Sequence, residues 1–444
     1  MRTLPLVLAL TLLPATAAAD PCGMVPPIQV PQGITGPAIE RTGAQRTWVM
    51  YKDGVQTMAL RPGFAGKVEE FGMLIPFPAV PALRKIDDAT FAHIEGAVDP
   101  PAVTVRFQEL YLYDVMASAG MPVEESADDG DGLALRRNEV VVLKEEAVGM
   151  YEVAVLAAGG ATALEGWMTK HEYQYPEGMD AVVEDYVGEK WVFVAIKTNV
   201  GQSGGAHAKP GMRSADVSFP SGSAFDGHVQ GMGFRFRVDR PVVPMRLSVF
   251  NGPDPRNVVY MLTDQGVNIE GVDESLVVRQ VGGAELLANV TAPLPVRYEG
   301  GDAKDVGDGE QPRIDAARDP DPINGVARDL FASDLLASSG GALSLPFEEE
   351  EKELLRISEA LGLRGEDIDR LHSLSIDAQR DEALAGALEG LRDMTLTVID
   401  GVLPGELLAS RNLTFASYRL PPKRNEPRTD AIRPTAPTVW VMKK

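Results

Sequence analysis

The amino-acid sequence predicts an α+β protein with a mixed, mostly antiparallel β-sheet system, packed helices and a C-terminal helical element. Three observations carry the prediction. Alternating or β-branched runs crowd the first 300 residues. Helical spacing is clearest beyond residue 345. Strands early and helices late favour segregated elements over the repeated strand–helix alternation of a doubly wound sheet.

The first stretch reads as an address rather than a fold element. Arg2 supplies a positive start, and Leu4 to Leu13 are apolar apart from Pro5 and Thr11. Ala17 and Ala19 then provide the small side chains that signal peptidase admits, which predicts cleavage between Ala19 and Asp20 and delivery to the periplasm or the medium. The apolar run is too short for a spanning helix, which needs about 20 residues, and no later stretch is long enough. Lipidation at Cys22 would want a small residue before it, where Pro21 stands.

Composition narrows the function classes. A chain of 444 residues can bury an ample core without metals or disulfides. Its net charge of −22 repels nucleic acid and anionic membranes, so nucleic acid is not an expected partner. Cys22 is the single cysteine, which excludes an intramolecular disulfide, a Cys-rich zinc site and an iron–sulfur cluster. In an oxidising compartment it leaves a buried or free thiol, or a thiol-linked assembly with another chain.

After a proline-rich N-terminus, Thr47–Tyr51 and Thr57–Leu60 read as strands joined by Lys52-Asp53-Gly54, a hairpin signal. Phe71–Ile75 is a strand ended by Pro76, Pro78 and Pro81. Ile86–Ile94 is a short helix, and Val103–Phe107 alternates again. An acidic loop, Glu124–Gly132, precedes strands at Val140–Leu143 and Tyr151–Leu156. Thr162–His171 and Ala181–Val187 have helical spacing, and Trp191–Lys197 is a strand of bulky and β-branched residues. Val200–Gly227 reads as a long Gly/Ser loop. Phe234, Phe236 and Val238 alternate with Arg235, Arg237 and Asp239, as in a half-buried strand. Met245–Phe250 and Asn257–Leu262 continue the β character, with Val267–Val277 and Glu285–Val290 left open.

Gly300–Gly325, rich in Asp, Gly and Pro, reads as a linker. Phe347–Leu361, Glu366–Leu374 and Arg380–Leu391 follow as helices, then Thr395–Ile399 and Leu413–Tyr418 as a pair of strands. The expected division is a signal (1–19), a main α+β domain (20–299), a linker-like segment (300–345), a helical hairpin with returning strands (346–420) and a flexible basic tail (421–444).

Candidate chemistry is sparse. Gly201-Gln202-Ser203-Gly204-Gly205 matches the nucleophile pattern Gly-x-Ser-x-Gly, with His207 or His171 as a conceivable base. The helix that should follow such an elbow is missing from Ala206–Gly211, so a flexible loop explains the match more simply. His171-Glu172 opens a zinc-protease motif, but its second histidine position holds Tyr175. His171 fits a helix C-terminus better. Asp128, Asp129 and Asp131, like Asp302, Asp305 and Asp308, lack the spacing of a calcium loop. Glu348–Glu351 suit a helix first turn. Ile357–Leu374 resembles a helix-turn-helix only in outline, because Phe347–Leu374 holds nine acidic against four basic residues. Trp167, Tyr173, Tyr175, Tyr186 and Trp191 form either a ligand groove or, more simply, a core joining helix to strand. No catalytic, cofactor or metal residue is therefore assigned, and no cofactor is expected.

Several pieces in order resemble a known family. They are Cys22-Gly23, Phe71-Gly72-Met73-Leu74-Ile75-Pro76-Phe77-Pro78-Ala79-Val80-Pro81, and Tyr151–Leu156. Leu164, Trp167 and Tyr173 follow, then Tyr186-Val187, Trp191–Lys197 and Pro244-Met245-Arg246-Leu247. Together they resemble the bacterial domain-of-unknown-function family 2330. The resemblance implies an exported bacterial protein with a mixed α and β domain, and implies no activity. The C-terminal helices read as an elaboration on it. The expected function is a non-catalytic binding or scaffolding protein of the periplasm or cell envelope, with an envelope protein as a partner. The alternatives are a secreted hydrolase using Ser203 and a thiol-linked assembly through Cys22.

Overall fold

A computed structural model describes residues 39–41, 44–61, 64–66, 70–86, 89–108, 140–148, 151–171, 173–199, 213–215, 231–251, 256–339, 381–428 and 431–444. The first strands are β1 (Ile39–Arg41), β2 (Gln45–Lys52), β3 (Val55–Arg61), β4 (Phe64–Gly66), β5 (Glu70–Phe77) and β6 (Ala82–Lys85). Helix α1 (Thr90–Val98) leads to β7 (Val103–Gln108), β8 (Val140–Val148) and β9 (Tyr151–Ala158). Helices α2 (Ala161–Lys170) and α3 (Met179–Gly188) precede β10 (Val192–Asn199), β11 (Arg213–Ala215), β12 (Met232–Arg237) and β13 (Arg256–Thr263). Then come β14 (Val267–Ile269), β15 (Val277–Gly282), α4 (Gly283–Thr291) and β16 (Val296–Glu299). Helices α5 (Gln311–Ala317) and α6 (Asp321–Ser339) are followed by β17 (Thr395–Val402), β18 (Phe415–Ser417) and β19 (Thr438–Met442).

The fold is α+β, with mixed and mostly antiparallel sheets. The hairpin β2–β3 turns on Asp53 and Gly54, both at positive φ (51° and 79°), the conformation that matches the strands' right-handed twist. Seven strands form the larger sheet in the order β15-β17-β13-β2-β3-β12-β6, and five form a second in the order β11-β8-β9-β10-β5. Strand periodicity sorts their side chains into layers. Val49, Met58, Phe234 and Met261 of the larger sheet share one core with Ile75, Val155 and Val194 of the smaller. Trp48, Met50, Tyr260 and Val398, on the other face, pack against Ile94 of α1, Leu286 of α4 and Phe331 of α6. The smaller sheet's outer face, with Leu156 and Phe193, is covered by Leu164 and Met168 of α2 and Val183 and Tyr186 of α3. The order is therefore helices, sheet, sheet, helices. Each large apolar side chain so buried contributes about 1.5–3 kcal/mol.

Several sequence expectations shift. The strand expected to stop at Pro76 runs on to Phe77, with Pro76 opposite Phe193. Its place at the end of the sheet order makes this tolerable, because an edge strand has one side without a ladder to break. The helix expected at Ile86–Ile94 forms four residues later, as α1. Arg213–Ala215, inside the expected Gly/Ser loop, pairs parallel with β8. Met245–Phe250 is not a strand. Residues Arg246–Asn251 form a 3-10 turn, where the Ser248 N–H bonds to the Met245 carbonyl at 2.9 Å. Glu285–Val290 lies in α4, whose Leu286, Leu287 and Val290 make one buried face. Strand β18 pairs with β14 rather than with β17.

The larger corrections concern the C-terminal third. The stretch 300–339, expected as a linker, holds α5, α6 and a 3-10 turn. Its Asp and Pro residues are helix starts. Asp302 and Asp305 form a capping box, Pro312 stands in the first turn of α5, and the Asp319 carboxylate accepts from the Asp321 N–H at 3.0 Å. The basic tail is not free, because β19 pairs parallel with β7 and buries Val439 and Val441. The helices expected at Phe347–Leu361 and Glu366–Leu374 lie outside the described residues. Helix does occupy residues 381–388, continuing into a 3-10 turn at Glu389–Asp393. No helix among the described residues is long and apolar enough to cross a membrane.

Candidate functional site

Of the residues singled out from sequence, Cys22, Ser203, His207, Asp128, Asp129, Asp131 and Glu348–Glu351 lie outside the described residues. His171 caps α2. Its N–H bonds to the Trp167 and Met168 carbonyls at 3.1 Å each, and its ring stacks on Trp167 at 4.2 Å. The carboxylates of Asp302 and Asp305 are spent on the capping box, and Asp308 pairs with Lys444 at 2.9 Å. Among the described residues no three His, Cys, Asp or Glu side chains gather as a metal-holding group.

The aromatic cluster packs as a core. Tyr173 and Tyr186 are buried, and Tyr186 meets Trp191 at 4.9 Å and Phe193 edge-on at 6.2 Å. Gly72 admits the Tyr173 ring, which occupies the space a β-carbon at that position would need. The Tyr186 hydroxyl donates to Asn412 Oδ1. Arg246 lies 5.7 Å above the same ring and reaches Asp185 at 2.7 Å. The cluster thus fastens α3 to the C-terminal part of the chain. Burial pushes the Tyr186 hydroxyl far above the usual tyrosine range.

The densest charged group among the described residues was not visible in the sequence. Its members come from α1, β13, β17 and the loop that carries Arg428. The last turns of α1 point Glu95 inward, fully buried. Tyr260 projects from β13 on the helix-covered face, and its hydroxyl donates to Glu95 Oε2 at 2.6 Å. Arg428 donates to both Glu95 oxygens, at 3.1 and 2.9 Å, and to Asp400 of β17. Arg256, half exposed, clamps the same Asp400 through two bonds of 2.8 Å. Burial pushes the Glu95 carboxyl above the usual glutamate range, against the pull of Arg428 and Tyr260. Burial, then the neighbouring Glu95, pushes Tyr260 well above the tyrosine range.

Perturbed acids of this kind mark functional sites as readily as structural ones. Here both Glu95 oxygens are already taken by Arg428 and Tyr260. The arrangement suits a latch that pins residues around Arg428 onto α1 and the sheet. Arg433 extends it, donating to the Asp99 carbonyl at 3.0 Å just past the end of α1.

A second buried charge ties α6 to the larger sheet. Asp334, fully buried, accepts from Trp48 Nε1 at 3.0 Å, Arg84 at 3.2 Å and Arg235 at 2.7 Å. Arg235 was expected on a solvent face. It is buried because α6 covers that face and supplies its counter-charge. An open hollow of about 240 Å³ is lined by Ser275, Val277, Val278, Lys423, Arg424 and Glu426. Arg424 is held there by the Tyr418 hydroxyl at 2.5 Å and the Glu274 carbonyl at 3.3 Å.

A family model described as "Uncharacterized protein conserved in bacteria (DUF2330)" matches residues 22–282. No curated protein and no solved structure gives a significant match to the chain. The matched region ends with β15, so Glu95, Tyr260 and Arg256 lie inside it while Asp334, Asp400 and Arg428 lie beyond.

Proposed function

The chain belongs to this family of bacterial proteins, domain-of-unknown-function family 2330, and from that premise we propose that it is an exported protein that binds or scaffolds in the periplasm or cell envelope. One observation carries the reading, namely Arg2, the apolar Leu4–Leu13 run and the small Ala17 and Ala19 ahead of an acidic body. Support comes from the buried charges, which serve to fasten elements of the body to one another. The latch closes Glu95 and Tyr260 against each other and Arg428, and Asp334 is surrounded by its own donors. On this reading these groups fasten the body's elements together, and its surfaces are left for partners.

The test is intact mass spectrometry of the protein recovered separately from cytoplasm, envelope and medium. The expected chain begins at Asp20 and is found outside the cytoplasm. A chain that keeps Arg2 and stays in the cytoplasm overturns the reading. A chain beginning at Cys22 with added lipid mass overturns soluble export and places the protein on a membrane surface.

A further inference from the structure

Parallel sheets are ordinarily covered on both faces. Among the described residues, the three-stranded parallel sheet β16-β7-β19 is covered on one. Its inner residues, Val103, Val105, Val439 and Val441, pack with Leu294, Ile314 and Ile323. Its outer face presents Trp440, 44% exposed, and Met442, 37% exposed, beside charged side chains.

The register places Glu299, Arg106 and Trp440 in one row across the three strands. Arg106 Nε donates to Glu299 Oε2 at 2.8 Å, and its guanidinium lies 5.5 Å from the Trp440 ring centre. Arg297 reaches the other Glu299 oxygen at 3.1 Å. Two guanidinium groups therefore share one carboxylate. Among the described residues the terminal amino groups of Arg106 have no hydrogen-bond partner, so they form an open fork beside an exposed indole.

We propose that this face is a binding platform for a glycan bearing a carboxylate, with a sugar ring against Trp440 and its carboxylate on the Arg106 fork. The inference rests on the binding reading above and names its ligand class. Size supports it. The row spans two strand spacings, about 10 Å, and the next row lies about 7 Å along the strands. That area fits one or two sugar rings and falls far short of the roughly 800 Å² per partner of a stable protein interface. Charge supports it too, because the unmatched guanidinium charge calls for an anion, and a planar fork binds carboxylates through two parallel bonds. The indole supplies an apolar face with a rigid edge, which suits the C–H face of a sugar. The body's net charge of −22 does not forbid an acidic ligand, since physiological salt screens charges beyond about 8 Å.

The experiment is a calorimetric and tryptophan-fluorescence titration of the purified chain with trigalacturonate and trimannuronate, their methyl esters, and neutral maltotriose. At least one acidic trisaccharide should bind, with affinity falling at least tenfold for its ester and for maltotriose. Trp440→Ala and Arg106→Gln should each lose at least tenfold, with circular dichroism and Tm unchanged. The proposal is overturned by no binding of either acid, by esters binding equally well, or by both variants binding as the parent does. Export is read from mass and this platform from affinity, so either reading can fail alone.

Discussion

Gly72 shows how a single absent methyl positions a layer. The Tyr173 ring lies where a β-carbon would stand, so Gly72→Ala must push the ring away from the core beneath α2. Overpacking of this kind costs about 1–3 kcal/mol. Thermal unfolding should show the loss, and it should shrink markedly when Tyr173→Ala is already present. Equal losses in both backgrounds would show that the ring is not the obstacle. Glu95 makes a prediction of unusual sign. Its carboxyl is raised above the ordinary value of 4.5 by burial. The stability it contributes is therefore fully present below that ordinary value and is lost as pH rises through the folded-state value. Glu95→Gln removes this dependence. The unfolding free energy of the parent minus that of E95Q should grow as pH falls from 7 towards 4.5. A difference that is flat, or that shrinks, would mean Arg428 dominates the site. Neither residue's role could be read from the sequence. Gly72 stood in a recognised stretch without its reason, and Glu95 meets Tyr260 and Arg428 across 165 and 333 positions.

At the scale of elements, the sequence was legible where contacts are local. The Asp53-Gly54 hairpin, α2, α3 and β10 lie within a few residues of where turn chemistry and periodicity put them. It misled where a local feature serves two purposes. Asp and Pro at 302–322 looked like a linker because the residues that break chains also start helices. The alternation at Phe234–Asp239 predicted one wet face, and α6, a hundred residues on, buries Arg235 of that face while Arg237 and Asp239 stay exposed. The most consequential strand is β17. It lies between β13 and β15, pairing with both, although the matched family region ends before it. Strand β17 is thus built into the sheet, whereas the helices expected at Phe347–Leu361 and Glu366–Leu374 lie outside the described residues. A chain cut after Gly282 leaves two strands facing a gap, with Trp48 of β2 stripped of its stack on Phe331 of α6. Such a chain should give no cooperative urea transition, whereas the full chain should give one. A sharp transition in the cut chain would show that the matched region folds by itself.

At the scale of the whole molecule, the layered order explains how a strongly acidic chain holds together. Its apolar side chains fill three successive interfaces, while the buried ions are matched across elements rather than along them. That matching is why the candidate site escaped the sequence, where spacing reports neighbours on one helix or strand and says nothing about partners that meet only after folding. The position of β17 also sets a clock. The strand that completes the larger sheet is made more than a hundred residues after its two neighbours. At synthesis rates of about 5–20 residues per second, roughly 6–23 seconds separate the appearance of Gly282 from that of Thr395. Throughout that interval the nascent chain keeps two unsatisfied strand edges and cannot close its sheet. A chain that is slow to become a finished body stays threadable for as long as it is being made.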